Sequence, residues 1–183
     1  MQRNIVWKGL DADTTENCAV NFTDSGIIVR SEVMGWLDGS AVTSEYYIKM
    51  DRQWQVQEFE IKTLCNGSVT HFSMSRDDSG RWKDYHGREY PEFDGCRYID
   101  ITLTPLTNTL PVNGLYLQEG KTKQIDVVYI DVQEGKVRPD RQQYTRLSRL
   151  RYRFKNDNGN FTADIDVDEE GFVTDYPNLF EII

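Results

Sequence analysis

A chain of 183 residues is long enough to bury a core as one domain without a disulfide or metal staple, and its ten tyrosines, eight phenylalanines and four tryptophans supply sheet-type surface despite a hydrophobic content of 38%. A net charge of −9 sets up a field that repels phosphates, which excludes nucleic acid as a partner. Three cysteines, Cys18, Cys65 and Cys96, match no zinc or redox spacing and read as small apolar residues in a reducing compartment.

From the amino terminus, Met1 to Trp7 lacks the apolar core of a secretion signal, and no later run reaches membrane-spanning length, so a cytoplasmic location is expected. Turn signals then recur at Asp24-Ser25-Gly26, Asp38-Gly39, Asn66-Gly67, Asp78-Ser79-Gly80, Glu134-Gly135, residues 156–159 and Glu170-Gly171. With β-branched and aromatic runs between them, this punctuation predicts an all-β, mainly antiparallel fold over residues 1–183, with no long helix. Strands are expected at residues 27–36 and 42–50. The two-residue Asn66-Gly67 turn then sets Cys65 opposite Ser68, Leu64 opposite Val69, Ile61 opposite Phe72 and Phe59 opposite Met74, with the apolar residues of both strands on one side. The same register puts His71 opposite Lys62 on a solvated face.

Residues 85–93 are irregular in pattern. Further strands are expected at 95–103, 115–118 and 123–133, the last apolar on both sides through Val127, Val128, Tyr129 and Ile130, as a central strand would be. A four-residue loop over 156–159 would pair Phe154 with Phe161, Tyr152 with Ala163 and Leu150 with Ile165, and set Arg151 against Asp164 and Arg149 against Asp166.

That last hairpin decides a charge question. Residues 136–155 hold eight basic side chains against Asp140 alone, which reads either as a cationic patch or as a ladder neutralised by Asp164, Asp166 and Asp168. Strand alternation places opposite charges side by side and favours the ladder. Arg138, Arg141 and Arg146 stay outside it. Arg146, beside Tyr144, offers a guanidinium and aromatic grip on a sugar or phosphate head group, with an ordinary surface arginine as the equal alternative.

Catalytic signatures are sparse. His71 and His86 lie in no arrangement with a serine, cysteine or carboxylate, and no phosphate-cradling glycine loop or nucleophile elbow occurs. The acidic run 164–171 resembles a calcium loop, but Glu169 stands at the sixth position, where glycine is needed. No metal or cofactor is therefore expected. Trp54 and Trp82 follow turn-like residues and read as caps on a sheet core ahead of sugar-stacking platforms.

The most informative stretch begins at Gly95. Ile99, Ile101 and Leu103 face one way and Asp100 and Thr102 the other, and the strand runs into Thr104-Pro105-Leu106-Thr107-Asn108-Thr109-Leu110-Pro111, which reads as an ordered polar loop. Together with Gln143-Tyr144-Thr145-Arg146-Leu147 and the segment from Asp168 to Pro177, it resembles a bacterial family labelled putative glycolipid-binding, over nearly the whole chain from Trp7 to Phe180. The resemblance implies a spiral β-roll, loosely similar to the periplasmic carriers of lipoproteins, with no reaction assigned. Tyr98 departs from the acidic residue that the family pattern favours, so no carboxylate pair with Asp100 is implied.

On these grounds the expected architecture is a sheet curled into a spiral β-roll or incomplete barrel. The expected function is non-enzymatic binding of an amphiphile, a glycolipid among the candidates, in a cavity with an apolar wall. Its polar rim is assigned to Asp100, Thr107, Asn108, Tyr144 and Arg146, mostly through the resemblance. Two alternatives stay open: a hydrolase of a sugar ester or glycoside with Asp100 as acid or base, and a protein-interaction module using a sheet edge.

Overall fold

The computed structural model describes residues 1–156 and 159–183. Strands β1 (Gln2–Gly9), β2 (Asp13–Thr23), β3 (Gly26–Leu37), β4 (Ser40–Met50), β5 (Val56–Cys65), β6 (Ser68–Arg76) and β7 (Trp82–Asp84) form a meander. After a 3-10 turn, β8 (Tyr98–Ile101) leads into helix α1 (Leu106–Gly114). The chain then returns through β9 (Thr122–Asp131), β10 (Lys136–Ser148), β11 (Arg151–Asn156), β12 (Thr162–Val167), β13 (Val173–Tyr176) and β14 (Phe180–Ile182). Among the described residues these fourteen strands make one curled, unclosed sheet, in which β14 pairs with β1 and β7 and β8 are the two ends. The β8–β9 pairing is parallel and the other pairings are antiparallel.

Inward side chains gather in two clusters. The larger runs from Trp7, Val29, Ile48 and Phe59 to Ile99, Ile101 and Val128, and the smaller joins Tyr144, Phe154, Ile165, Tyr176 and Phe180. Trp7 donates its indole N–H to the Val173 carbonyl at 2.7 Å and Trp82 to that of Cys96 at 3.0 Å, so both tryptophans are core members with satisfied polar ends. Trp54 packs its ring between Phe22 and Phe172.

The Asn66-Gly67 hairpin has the expected register residue for residue, and both turn residues take positive φ, 49° and 73°, as a type I′ turn requires. One corollary is corrected: Leu64 and Val69 pair on the outward face, 48% and 60% exposed, because position 64 has the opposite parity to Phe59 and Ile61.

Four further expectations change. The segment 104–111 is not a loop: α1 starts at Leu106 and carries Pro111 inside it, with Leu106 to Val112 all buried. The Thr104 hydroxyl accepts the Leu106 N–H at 3.0 Å, and burial of the whole first two turns outweighs the hydrogen bond that Pro111 cannot donate. Residues 115–118 form no strand, since Tyr116 takes φ 50° and breaks an extended path. The strand at 95–103 contracts to β8.

The second hairpin is displaced by two residues. Phe154 pairs with Ala163, Tyr152 with Ile165, Arg153 with Asp164 and Arg151 with Asp166. A two-residue shift keeps every side chain on its face, so alternation excludes odd slips and leaves even ones undetermined. Residues 157 and 158 of the loop expected there lie outside the described residues. The ladder exists with these partners: the Arg151–Asp166 and Arg153–Asp164 pairs are both two-pronged at 2.6–2.8 Å, and Arg149 meets Glu169 at 2.5 Å. Asp168 pairs instead with Arg3.

Candidate functional site

Parallel pairing of β8 with β9 and antiparallel pairing of β9 with β10 set Asp100, Tyr129 and Arg138 in one cross-strand row. On the same face of β10 the period of two brings up Asp140, Gln142 and Tyr144 in succession. Five residues beyond β8, α1 folds back and returns Thr107 and Asn108 to this ridge. Thr107 Oγ1 donates to Asp100 Oδ1 at 3.1 Å, and Gln142 Nε2 donates to Oδ2 at 2.6 Å. Asn108 Nδ2 donates to the Tyr144 hydroxyl at 2.8 Å.

These contacts set the charge on Asp100. Desolvation raises its pKa above the ordinary carboxylate value; the bonds from Gln142 and Thr107 pull the other way, Asp140 pushes up and Arg138 pulls down. Burial and the nearby Asp100 carboxylate hold the Tyr144 hydroxyl well above its usual range, so it stays protonated.

A cleft of about 360 Å³ beside the ridge is also lined by an apolar wall from the far end of the chain, Phe154, Phe161, Tyr176, Leu179 and Phe180, with Phe154 next to Tyr144 in the β10–β11 pairing. Its rings touch in sequence: Phe154 lies 6.0 Å from Phe161, Phe161 6.3 Å from Tyr176, and Tyr176 6.3 Å from Phe180. The strands that carry this wall, β11 to β14, continue the sheet beyond β10. Asp11 and Thr104 also line the cleft. Two wider depressions, over Arg30, Tyr47 and Lys62 and over Asp51, Arg76 and Asp77, have volumes of about 570 and 650 Å³. The first is a shallow outer face and the second is lined by polar residues, so neither joins a polar ridge to a run of touching aromatic rings.

Of the five residues expected at the rim, Asp100, Thr107, Asn108 and Tyr144 converge here. Asp100 and Asn108 line the cleft; Thr107 and Tyr144 stand behind them as their hydrogen-bond partners. Arg146 is elsewhere. Its guanidinium donates to the carbonyls of Leu117, Ser148 and Arg149 at 2.9–3.2 Å and borders a separate cleft with Asn113 and Asp168. Sequence reasoning missed Gln142, Asp140 and the aromatic wall. The alternating polar residues 138, 140, 142 of β10 were a usable signal for the first two.

Behind Thr104 lies a second acidic group. Glu16 Oε1 accepts from Ser31 Oγ at 2.7 Å and from the Tyr46 hydroxyl, which sits 3.1 Å from Thr104 Oγ1; Glu16 Oε2 has no partner. Burial pushes its pKa up to about 7, against the lowering effect of the Tyr46, Thr104 and Ser31 hydroxyls. His71 is half-exposed and bonds Glu60 at 2.9 Å. No group of three or more metal-ligating side chains occurs among the described residues, and no helix there is long and apolar enough to cross a membrane.

The architecture is that of an all-β roll whose sheet curls without closing. The chain belongs to the family described as putative glycolipid-binding, whose model matches residues 4–181. It is similar to the crystal structure of a DUF1089 family protein from Pseudomonas aeruginosa, with 32% identity and a TM-score of 0.82 over 91% of each chain. No curated protein matches the chain.

Proposed function

We propose that the protein reversibly binds an amphiphile, with a glycolipid as the leading candidate, and performs no covalent chemistry on it. The observation that carries this reading is the meeting of two kinds of wall in one cleft: the polar Asp100, Asn108 and Gln142, and the apolar Phe154, Phe161 and Phe180. A head group fits the first wall and an aliphatic chain or the apolar face of a sugar fits the second. The interior of the roll is occupied by α1, so the ligand lies in the cleft and not inside a hollow barrel. Its volume of about 360 Å³ suits a head group with the first part of a chain.

Native mass spectrometry of freshly purified protein, followed by organic extraction, tests the reading. A co-purifying lipid whose occupancy falls on Phe161→Ala supports it, because Phe161 is 37% exposed and its loss strips the apolar wall with little effect on the core. A protein that carries no lipid and binds no alkyl glycoside overturns it. One observation favours the hydrolase alternative: Asp140 shares the cleft with Asp100 and raises its pKa. Steady turnover of a nitrophenyl glycoside, abolished by Asp100→Asn, would establish that alternative in place of simple binding.

A further inference from the structure

The charges around the cleft are unbalanced. Its lining carries Asp11, Asp100 and Asp140 against Arg138 as the one cation among the described residues. Arg138 is also occupied: it donates to Asp140 Oδ1 at 3.3 Å, and its guanidinium carbon sits 4.2 Å from the centre of the Tyr129 ring. Two of the three side-chain amides in the lining follow the same pattern, since Gln142 directs an N–H at Asp100 and Asn108 directs one at Tyr144, whereas Asn156 accepts the Phe161 N–H on its oxygen at 3.1 Å. What the polar wall offers an incoming group is chiefly hydrogen-bond acceptors and negative charge. Hydroxyl groups, which donate, suit such a wall; a phosphate, sulfate or carboxylate must approach three aspartates with the only guanidinium already paired.

We propose that Asp140 sets the head-group specificity of the cleft: by pairing with Arg138 beside Asp100 and Asp11, it excludes anionic amphiphiles and leaves the site selective for uncharged, hydroxyl-rich head groups. The inference rests on the amphiphile-binding reading above and narrows it to one charge class. Asp140 is a positioning residue in this scheme, because it acts through Arg138 and through the field. Arg138 is the latent anion site that it masks.

The test compares dodecyl maltoside with dodecyl phosphate, equal in chain length, each below its micelle concentration, by isothermal titration calorimetry on the full chain at pH 8. The wild-type protein binds the maltoside at least about tenfold more tightly at low salt, and the gap narrows at high salt as screening weakens the repulsion. Asp140→Asn releases Arg138 and raises dodecyl phosphate affinity about tenfold with little change for the maltoside. Adding Arg138→Gln to that variant removes the gain.

Equal wild-type affinity for the two amphiphiles overturns the charge selection and leaves the binding reading standing. So does an unchanged gap in Asp140→Asn. Binding of neither compound overturns the amphiphile reading itself, and the selection with it. Should Asp140→Asn fail to fold, Arg138→Gln alone decides: it leaves both affinities unchanged if Arg138 is masked, and a lowered phosphate affinity shows that Asp140 does not silence it.

Discussion

Glu16 and Asp100 are two inward acids on one curled sheet, and their surroundings give them different work. Both Asp100 oxygens accept a hydrogen bond and the side chain borders a cleft. Glu16 takes both of its donors on Oε1, leaves Oε2 without a partner and is 3% exposed. A carboxylate served on both oxygens can hold its charge and present acceptors to a ligand. One served on a single oxygen in a closed core is best held protonated. The same residue chemistry therefore reads as a site in one place and as a strained core position in the other.

The largest predicted effect breaks that comparison at Glu16. Its pKa is about 7 when folded and about 4.5 when unfolded. Below pH 4.5 both states hold the proton and its contribution is complete; between 4.5 and 7 the unfolded state loses the proton first, so stability falls as pH rises and levels off above 7. A difference of that size corresponds to about 3 kcal/mol. Glu16→Gln, which keeps an acceptor for Ser31 and Tyr46, is expected to be about 3 kcal/mol more stable than wild type at pH 8 and to lose most of the fall between pH 5 and 8 in urea unfolding. A slope that survives in this variant would move the titration to Asp100.

Next in size is Arg146, which separates a scaffold residue from the cleft. Its three bonds to carbonyls pin the turn between β10 and β11 against the segment after α1. Arg146→Met should cost about 2 kcal/mol in unfolding free energy and leave alkyl glycoside affinity unchanged. An affinity loss exceeding that of Phe161→Ala would return Arg146 to the binding surface. Asp100→Asn reverses the pattern. The new amide turns a donor toward Gln142 or Thr107, the cost to folding is about 1–2 kcal/mol, and glycoside binding falls further than it does for Arg146→Met. Because desolvation raises the Asp100 pKa, wild type loses a little stability as pH rises from the acid side through its titration, and this variant does not.

How much of this was legible in the chain depended on how local the determining contacts were. Asn66-Gly67 fixes a two-residue turn by itself, and the β5–β6 register followed pair by pair. At 156–159 the loop length was open, and parity preserved the faces of β11 and β12 but not the partners. β2 gave no readable strand signal at its start, because inward positions 14 and 16 carry Thr and Glu in place of apolar residues. α1 was hidden by Pro111 and by threonines and asparagines that favour loops in isolation; its stability comes from enclosure by strands distant in sequence. Asp100, Thr107, Asn108 and Tyr144 were found together because their pattern is short-range or matched the family. The aromatic wall was not, since Phe154, Tyr176 and Phe180 gather on strands β11, β13 and β14, whose pairing partners the residue pattern did not determine.

The smallest effect sharpens the division of labour within the ridge itself. Tyr144 is 1% exposed, packs edge to face on Phe154 at 5.5 Å and reaches the cleft only through its bond to Asn108. Tyr144→Phe keeps the ring and removes one hydrogen bond from a buried amide, so the expected loss of stability is about 1 kcal/mol. If Asn108 presents its amide to the head group, releasing it from Tyr144 also lets it rotate, and dodecyl maltoside affinity drops about threefold while Phe161→Ala and Tyr144→Phe combine additively. If Asn108 only joins α1 to β10, affinity is unchanged although stability falls by the same amount. Calorimetric binding measured beside urea unfolding on the one variant separates an amide that recognises a ligand from one that holds the helix in place.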